Sequence, residues 1–255
     1  MRKAKALLLT GLLAWQLTGC VTTGGKPEVD REKAAESYVN LGIAYLREGD
    51  TENARDKLER ALKYDSDSVR ALSVLALTYH QDGEVELAEK YFRKALWEDR
   101  SDPETNNNYA AFLYDIGRYD EAAEYFKKAA DNTDYSERSR SFENLGLTLL
   151  KLKDNEAAEA SFRRALRLNK GLPRAHLELS NLLFKQSNFS EAQKHYEAFT
   201  QLASQDARSL LIGIQIAKAF NDNDRMASYG LQLRKMYPGS SELKQYQGMM
   251  ANEKP

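Results

Sequence analysis

The chain has little of what polar catalysis and metal binding use. It has one cysteine, Cys20, in 255 residues, which excludes an intramolecular disulfide, a CxxC redox pair and a cysteine zinc cluster. Its three histidines, His80, His176 and His195, are too far apart for a helix-borne HExxH, and no Walker loop, GxGxxG or GxSxG occurs. Neither sign of charge is in clear excess, with 37 Lys and Arg against 38 Asp and Glu. There is then no basic field to collect phosphates, which argues against nucleic acid as a partner. Proline is scarce, with five in the chain, and a mean hydropathy of -0.65 leaves no room for several membrane spans.

The apolar run Ala6 to Trp15 follows three cations, Arg2, Lys3 and Lys5, which is the order of a secretory signal. At about 1.5 Å per residue, ten helical residues span about 15 Å, roughly half of a bilayer core. The run ends in Leu17-Thr18-Gly19-Cys20, which resembles the lipobox of bacterial lipoproteins. The resemblance implies a signal peptide over 1–19 and a covalent diacylglycerol and N-acyl lipid on Cys20, with no other cofactor. Val21 stands where an Asp would resemble an inner-membrane retention signal, so the expected location is the outer membrane, facing the periplasm. Gly24, Gly25 and Pro27 mark residues 20–34 as a lipidated cysteine and flexible tether.

Most of the remainder follows one period. Ala54, Ala88, Ala122, Ala158 and Ala192 recur at 34 residues, once at 36, each followed four places on by Leu58, Phe92, Phe126, Phe162 or Tyr196. Sixteen residues before them stand Tyr38, Leu72, Asn106, Phe142 and His176, each followed by a Leu-Gly-like pair beginning with Leu41-Gly42. This is the tetratricopeptide pattern, in which a small residue lets two helices of a hairpin approach and a large one fills the hollow. The expected fold is an all-α right-handed superhelix of six helix-turn-helix repeats at 35–68, 69–102, 103–136, 139–172, 173–206 and 207–240. A short capping helix follows to 250, with a disordered tail over 251–255.

Such a solenoid holds a peptide or protein along its inner surface. The period places Glu36, Val39, Ile43, Leu46 and Arg47 on that surface in the first repeat, then Ser73, Leu77 and His80, then Asn107, Ala111 and Tyr114. The partner-binding candidates are therefore Val39, Ile43, Leu46, Leu77, Asn107 and Tyr114, apolar at the N-terminal end and more polar toward the middle. The alternative has Val39, Ile43 and Leu46 packed against the tether or a neighbouring helix, and Asn106 to Asn108 as a solvated helix start. Ser73 and Leu77 stand where a carboxylate-clamping repeat would place Lys and Asn. No catalytic residue or metal ligand set is expected.

Longer strings narrow the family. Phe112-Leu113-Tyr114, Phe142-Glu143-Asn144-Leu145-Gly146-Leu147, Ala207-Arg208-Ser209-Leu210-Leu211-Ile212-Gly213 and Tyr237-Pro238-Gly239-Ser240 resemble the PilF/PilW family. That resemblance implies a pilotin, an outer-membrane lipoprotein that binds the type IV pilus secretin, PilQ, and promotes its localisation and multimerisation. It implies no small-molecule substrate. Lipobox and repeats alone leave open another envelope scaffold, such as a cell-wall synthase regulator or an outer-membrane assembly factor.

Overall fold

A computed structural model describes residues 30–251. Cys20, the signal segment 1–19 and residues 252–255 lie outside the described residues. Within them the chain forms thirteen helices and no strand. The first six are α1 (Arg31–Arg47), α2 (Thr51–Tyr64), α3 (Val69–Gln81), α4 (Val85–Glu98), α5 (Pro103–Asp115) and α6 (Tyr119–Asp131). Then come α7 (Arg138–Lys151), α8 (Asn155–Leu168), α9 (Pro173–Lys185), α10 (Phe189–Leu202), α11 (Ala207–Ala219), α12 (Asn223–Met236) and α13 (Ser241–Ala251). Twelve pair as six hairpins that stack in chain order into the right-handed tetratricopeptide superhelix, and α13 packs on α11 and α12. No described helix is long and apolar enough to cross a membrane.

The spacing of the alanines is the spacing of the packing. Ala54, Ala88, Ala122, Ala158 and Ala192 have no exposed surface, and Leu58, Phe92, Phe126, Phe162 and Tyr196 are buried behind them. The turn inside each hairpin is equally periodic. Gly49, Gly83, Gly117, Lys153, Ser187 and Asn221 all adopt positive φ, between 56° and 81°, which lets the chain reverse after the first helix. Aspartates start six helices: Asp30, Asp50, Asp102, Asp154, Asp206 and Asp222 each accept a backbone N–H of the first turn. Pro103 and Pro173 occupy first-turn positions, where a missing N–H breaks no bond.

Three features correct the sequence reading. First, α1 begins at Arg31, inside the segment assigned to the tether. Asp30 caps it, and the Arg31 guanidinium donates to the carbonyls of Lys63 and Tyr64 at the end of α2. Second, Leu41 is 47% exposed, whereas its counterparts Leu75 and Leu179 are fully buried. That position packs against the preceding hairpin, and among the described residues the first hairpin has none. Third, Ala251 belongs to α13 instead of the tail.

The core runs continuously from Val39 to Ile216, and a smaller cluster of Leu210, Leu211, Ile214, Leu233, Leu243 and Tyr246 closes the C-terminal end.

Candidate functional site

Successive odd-numbered helices touch one another along the stack, while no two even-numbered helices approach as closely. The odd helices therefore line the inner surface and the even helices the outer one. Side chains one period apart on the odd helices form stripes along that surface. Ile43, Leu77, Ala111, Leu147, Asn181 and Gln215 make one stripe, each half-buried. Leu46, His80, Tyr114, Leu150 and Phe184, also half-buried, make a second, which ends at the exposed Lys218. Half-burial at successive repeats is what a continuous groove floor requires: each side chain is held by its neighbours below and open above.

Four of the predicted residues, Ile43, Leu46, Leu77 and Tyr114, thus lie on the two stripes. Val39 does not. It is 1% exposed and belongs to the core, so its assignment to the groove is corrected. The reason is positional. One period on, Ser73 is 3% exposed, and later Leu177 and Leu211 are buried as well. Asn107 and Glu143 occupy the same position and show what it does. Asn107 Oδ1 accepts a hydrogen bond from Ser141 Oγ at 3.0 Å, and Glu143 Oε1 accepts one from the Ala175 amide at 2.8 Å. Both bonds join one odd helix to the next. Asn107 is thereby tied into a joint between repeats, and burial raises the Glu143 pKa. Asn106 is deeper still, donating to the carbonyls of Arg100 and Asp102.

The groove is also less polar in its middle than the sequence led us to expect. Ala111, Tyr114 and Leu147 line a hollow of about 160 Å³ together with Asp115, Phe126, Asn144 and Arg174. The Tyr114 ring meets Tyr119 edge-on at 5.2 Å, which holds it at the rim. Along the first stripe the lining is therefore apolar from the first repeat through the fourth, and amides take over at Asn181 and Gln215. Such a surface fits one apolar face of an extended or helical segment.

A second constellation escaped the sequence reading. His176 and His195, 19 residues apart, meet across the α9–α10 hairpin with their Nδ1 atoms 3.0 Å apart. The other ring nitrogen of His176 faces the Lys170 carbonyl at 3.1 Å. Burial lowers both pKa values, that of His195 to about 4, with the His176 ring adding to the effect. The pair is neutral near pH 7, one ring donating and the other accepting. Among the described residues no three His, Cys, Asp or Glu side chains are grouped to hold a metal.

Polar links reinforce the stack. Arg208 forms a bidentate pair with Glu178, 7% exposed, at 2.6 and 2.7 Å, joining α9 to α11. Arg163 reaches Glu191 from α8 to α10, and Arg55 pairs with Asp82.

Comparison with known proteins agrees with this geometry. A tetratricopeptide repeat family model matches residues 39–104 and 143–207, and a second such model matches 102–170. The type IV pilus assembly protein PilF of Pseudomonas aeruginosa is 44% identical over 243 residues, covering 94% of this chain and 96% of that protein. A solved structure of Pseudomonas aeruginosa PilF superposes with a TM-score of 0.83 at 43% identity, covering 86% of this chain and 99% of the other. The crystal structure of PilW, a widely conserved type IV pilus biogenesis factor, gives 0.70 at 29% identity, covering 83% and 97%.

Proposed function

Because the chain belongs to the PilF/PilW family of type IV pilus tetratricopeptide proteins, we propose that it is a pilotin, a lipid-anchored carrier for the pilus secretin. In this reading the inner groove receives an apolar segment of the secretin subunit. Acyl chains on Cys20 hold the complex on the periplasmic face of the outer membrane, where the subunits multimerise. One observation carries it: the unbroken line of half-buried apolar side chains Ile43, Leu77, Ala111 and Leu147 in a protein-interaction fold. A surface of that kind has an apolar face to bury on binding, at about 25 cal/mol per Å² before the costs of association are met.

The anchor and the groove have separable jobs. Burying acyl methylenes contributes about 0.8 kcal/mol each, so more than one chain makes attachment stable without a spanning helix. The groove needs no cofactor and no small molecule.

Deletion of the gene followed by membrane fractionation and blotting for secretin multimers tests the reading. Loss of multimers and surface pili, with both restored by the wild-type chain, is the expected result. A Cys20→Ser chain should fold but leave the outer membrane. Normal secretin multimers in the deletion strain would contradict the proposal and favour another envelope scaffold.

A further inference from the structure

The outer surface carries a site that the groove reading does not use. Between α4 and α6 lies a cleft of about 310 Å³ lined by Arg93, Leu96, Trp97, Arg100, Tyr125 and Lys128. Leu96 is its buried floor, and Trp97 stands beside it 74% exposed, the most exposed large apolar side chain among the described residues. The spacing is helical on both walls: Arg93, Leu96 and Trp97 on one, Tyr125 and Lys128 on the other.

Its charges are unevenly satisfied. Arg93 is held by Glu89 at 2.7 Å. Arg100 and Lys128 have no carboxylate partner among the described residues; each lies instead against an aromatic ring, Arg100 6.0 Å from Trp97 and Lys128 4.2 Å from Tyr125. An exposed Trp flanked by unpaired cations and aromatic rings has the composition of an interface hot spot. The complementary ligand is anionic with an apolar side chain.

We propose that this cleft docks an acidic segment of a second protein, with carboxylates facing Arg100 and Lys128 and an apolar side chain against Trp97. An extended anionic surface such as a membrane fits less well. Glu89, Glu121 and Glu124 lie about one turn away on the same helices, and a plane of negative charge would meet them, whereas a narrow segment entering the cleft meets cations. The cleft faces away from the groove, so both surfaces are open to occupancy at once, and the inference stands whether or not the groove holds a secretin.

Trp97 is itself the reporter. The chain has two tryptophans, and Trp15 lies in the expected signal peptide, so Trp15→Phe leaves Trp97 as the one signal whether or not that segment is retained. The probe is an array of synthetic peptides in which one Phe or Leu is flanked by Asp and Glu at varied spacing, followed by fluorescence titration with the best binder. Saturable change in Trp97 emission is expected, weakened about tenfold or more by the exposed double substitution Arg100→Glu with Lys128→Glu. The same peptide with Lys in place of its acidic residues should not bind. Circular dichroism verifies that the substituted chain is folded. Three results would overturn the proposal: no peptide giving a saturable change, equal affinity for the charge-reversed chain, or a response to phosphatidylglycerol vesicles but to none of the peptides.

Discussion

A Cβ on Gly213 would stand 2.2 Å from the phenol oxygen of Tyr196, so the ring of the fifth hairpin rests directly on bare backbone of the sixth. That phenol donates to the Ser209 carbonyl at 2.8 Å and accepts from Gln205 Nε2 at 2.6 Å. Gly213 occupies the position held by Leu75 and Leu179 in earlier repeats. The sixth repeat therefore departs from the common pattern to admit a hydrogen-bonded tyrosine, and the departure is a packing solution.

Replacing Gly213 with Ala should accordingly destabilise the C-terminal end by about 1–3 kcal/mol, because a buried, bonded ring has little freedom to retreat. Combined with Tyr196→Phe, which itself costs the two phenol hydrogen bonds, the losses should be less than additive, since the Phe ring lacks the nearest of the three clashing atoms. Urea unfolding midpoints of the two chains check this, and a Gly213→Ala chain as stable as the parent would show that the hairpins shift freely.

The hairpin turns supply a second expectation. Lys153 and Ser187 hold φ of 63° and 62° where the first three repeats have glycine. A side chain in that region costs about 1–2 kcal/mol, offset in part by the entropy glycine loses on folding. Lys153→Gly and Ser187→Gly should each stabilise by about 0.5 kcal/mol, and Gly117→Ala should destabilise by about 1 kcal/mol. Thermal or urea denaturation of the three chains tests the sign.

The histidine pair makes stability depend on pH. His195 is held near a pKa of about 4 in the folded chain, below the ordinary imidazole value of 6.5, by burial and by the neighbouring His176, with Arg163 and Lys194 acting in the same direction and Glu191 opposing them. Between those values the unfolded chain binds the proton that the folded chain refuses, so stability falls as pH drops from about 6.5 toward 4. After solvent screening the loss is roughly 1–2 kcal/mol. A His195→Gln chain should lose less stability over that window than the parent. Identical slopes in melting temperature against pH would contradict the buried neutral pair.

The helical hairpins and their turns were legible because a repeated position states its role several times. Ala122 and Gly117 are understood from Ala88 and Gly83 before them. What one period cannot state is the environment of a repeat's neighbours. Leu41 is an anchor by pattern, yet it is exposed because no described hairpin precedes α1. Val39 looks like a groove residue in the first repeat alone, and only Asn107 and Glu143, bonded to the following odd helix, show that its position is a joint. His176 and His195 belong to different helices, so their meeting depends on hairpin register. The Trp97 cleft lies between two even helices one repeat apart, a relationship that no local pattern records.

Binding of the secretin by the inner stripe, as proposed, is measured by the affinity of the purified chain for the secretin's periplasmic portion. Ile43→Asp places a charge where the bound segment would be apolar, and should weaken binding by about tenfold or more while circular dichroism remains that of the parent. Glu59→Lys, on the exposed face of α2, should bind as the parent does. Parent-like affinity in a folded Ile43→Asp chain would contradict the groove assignment.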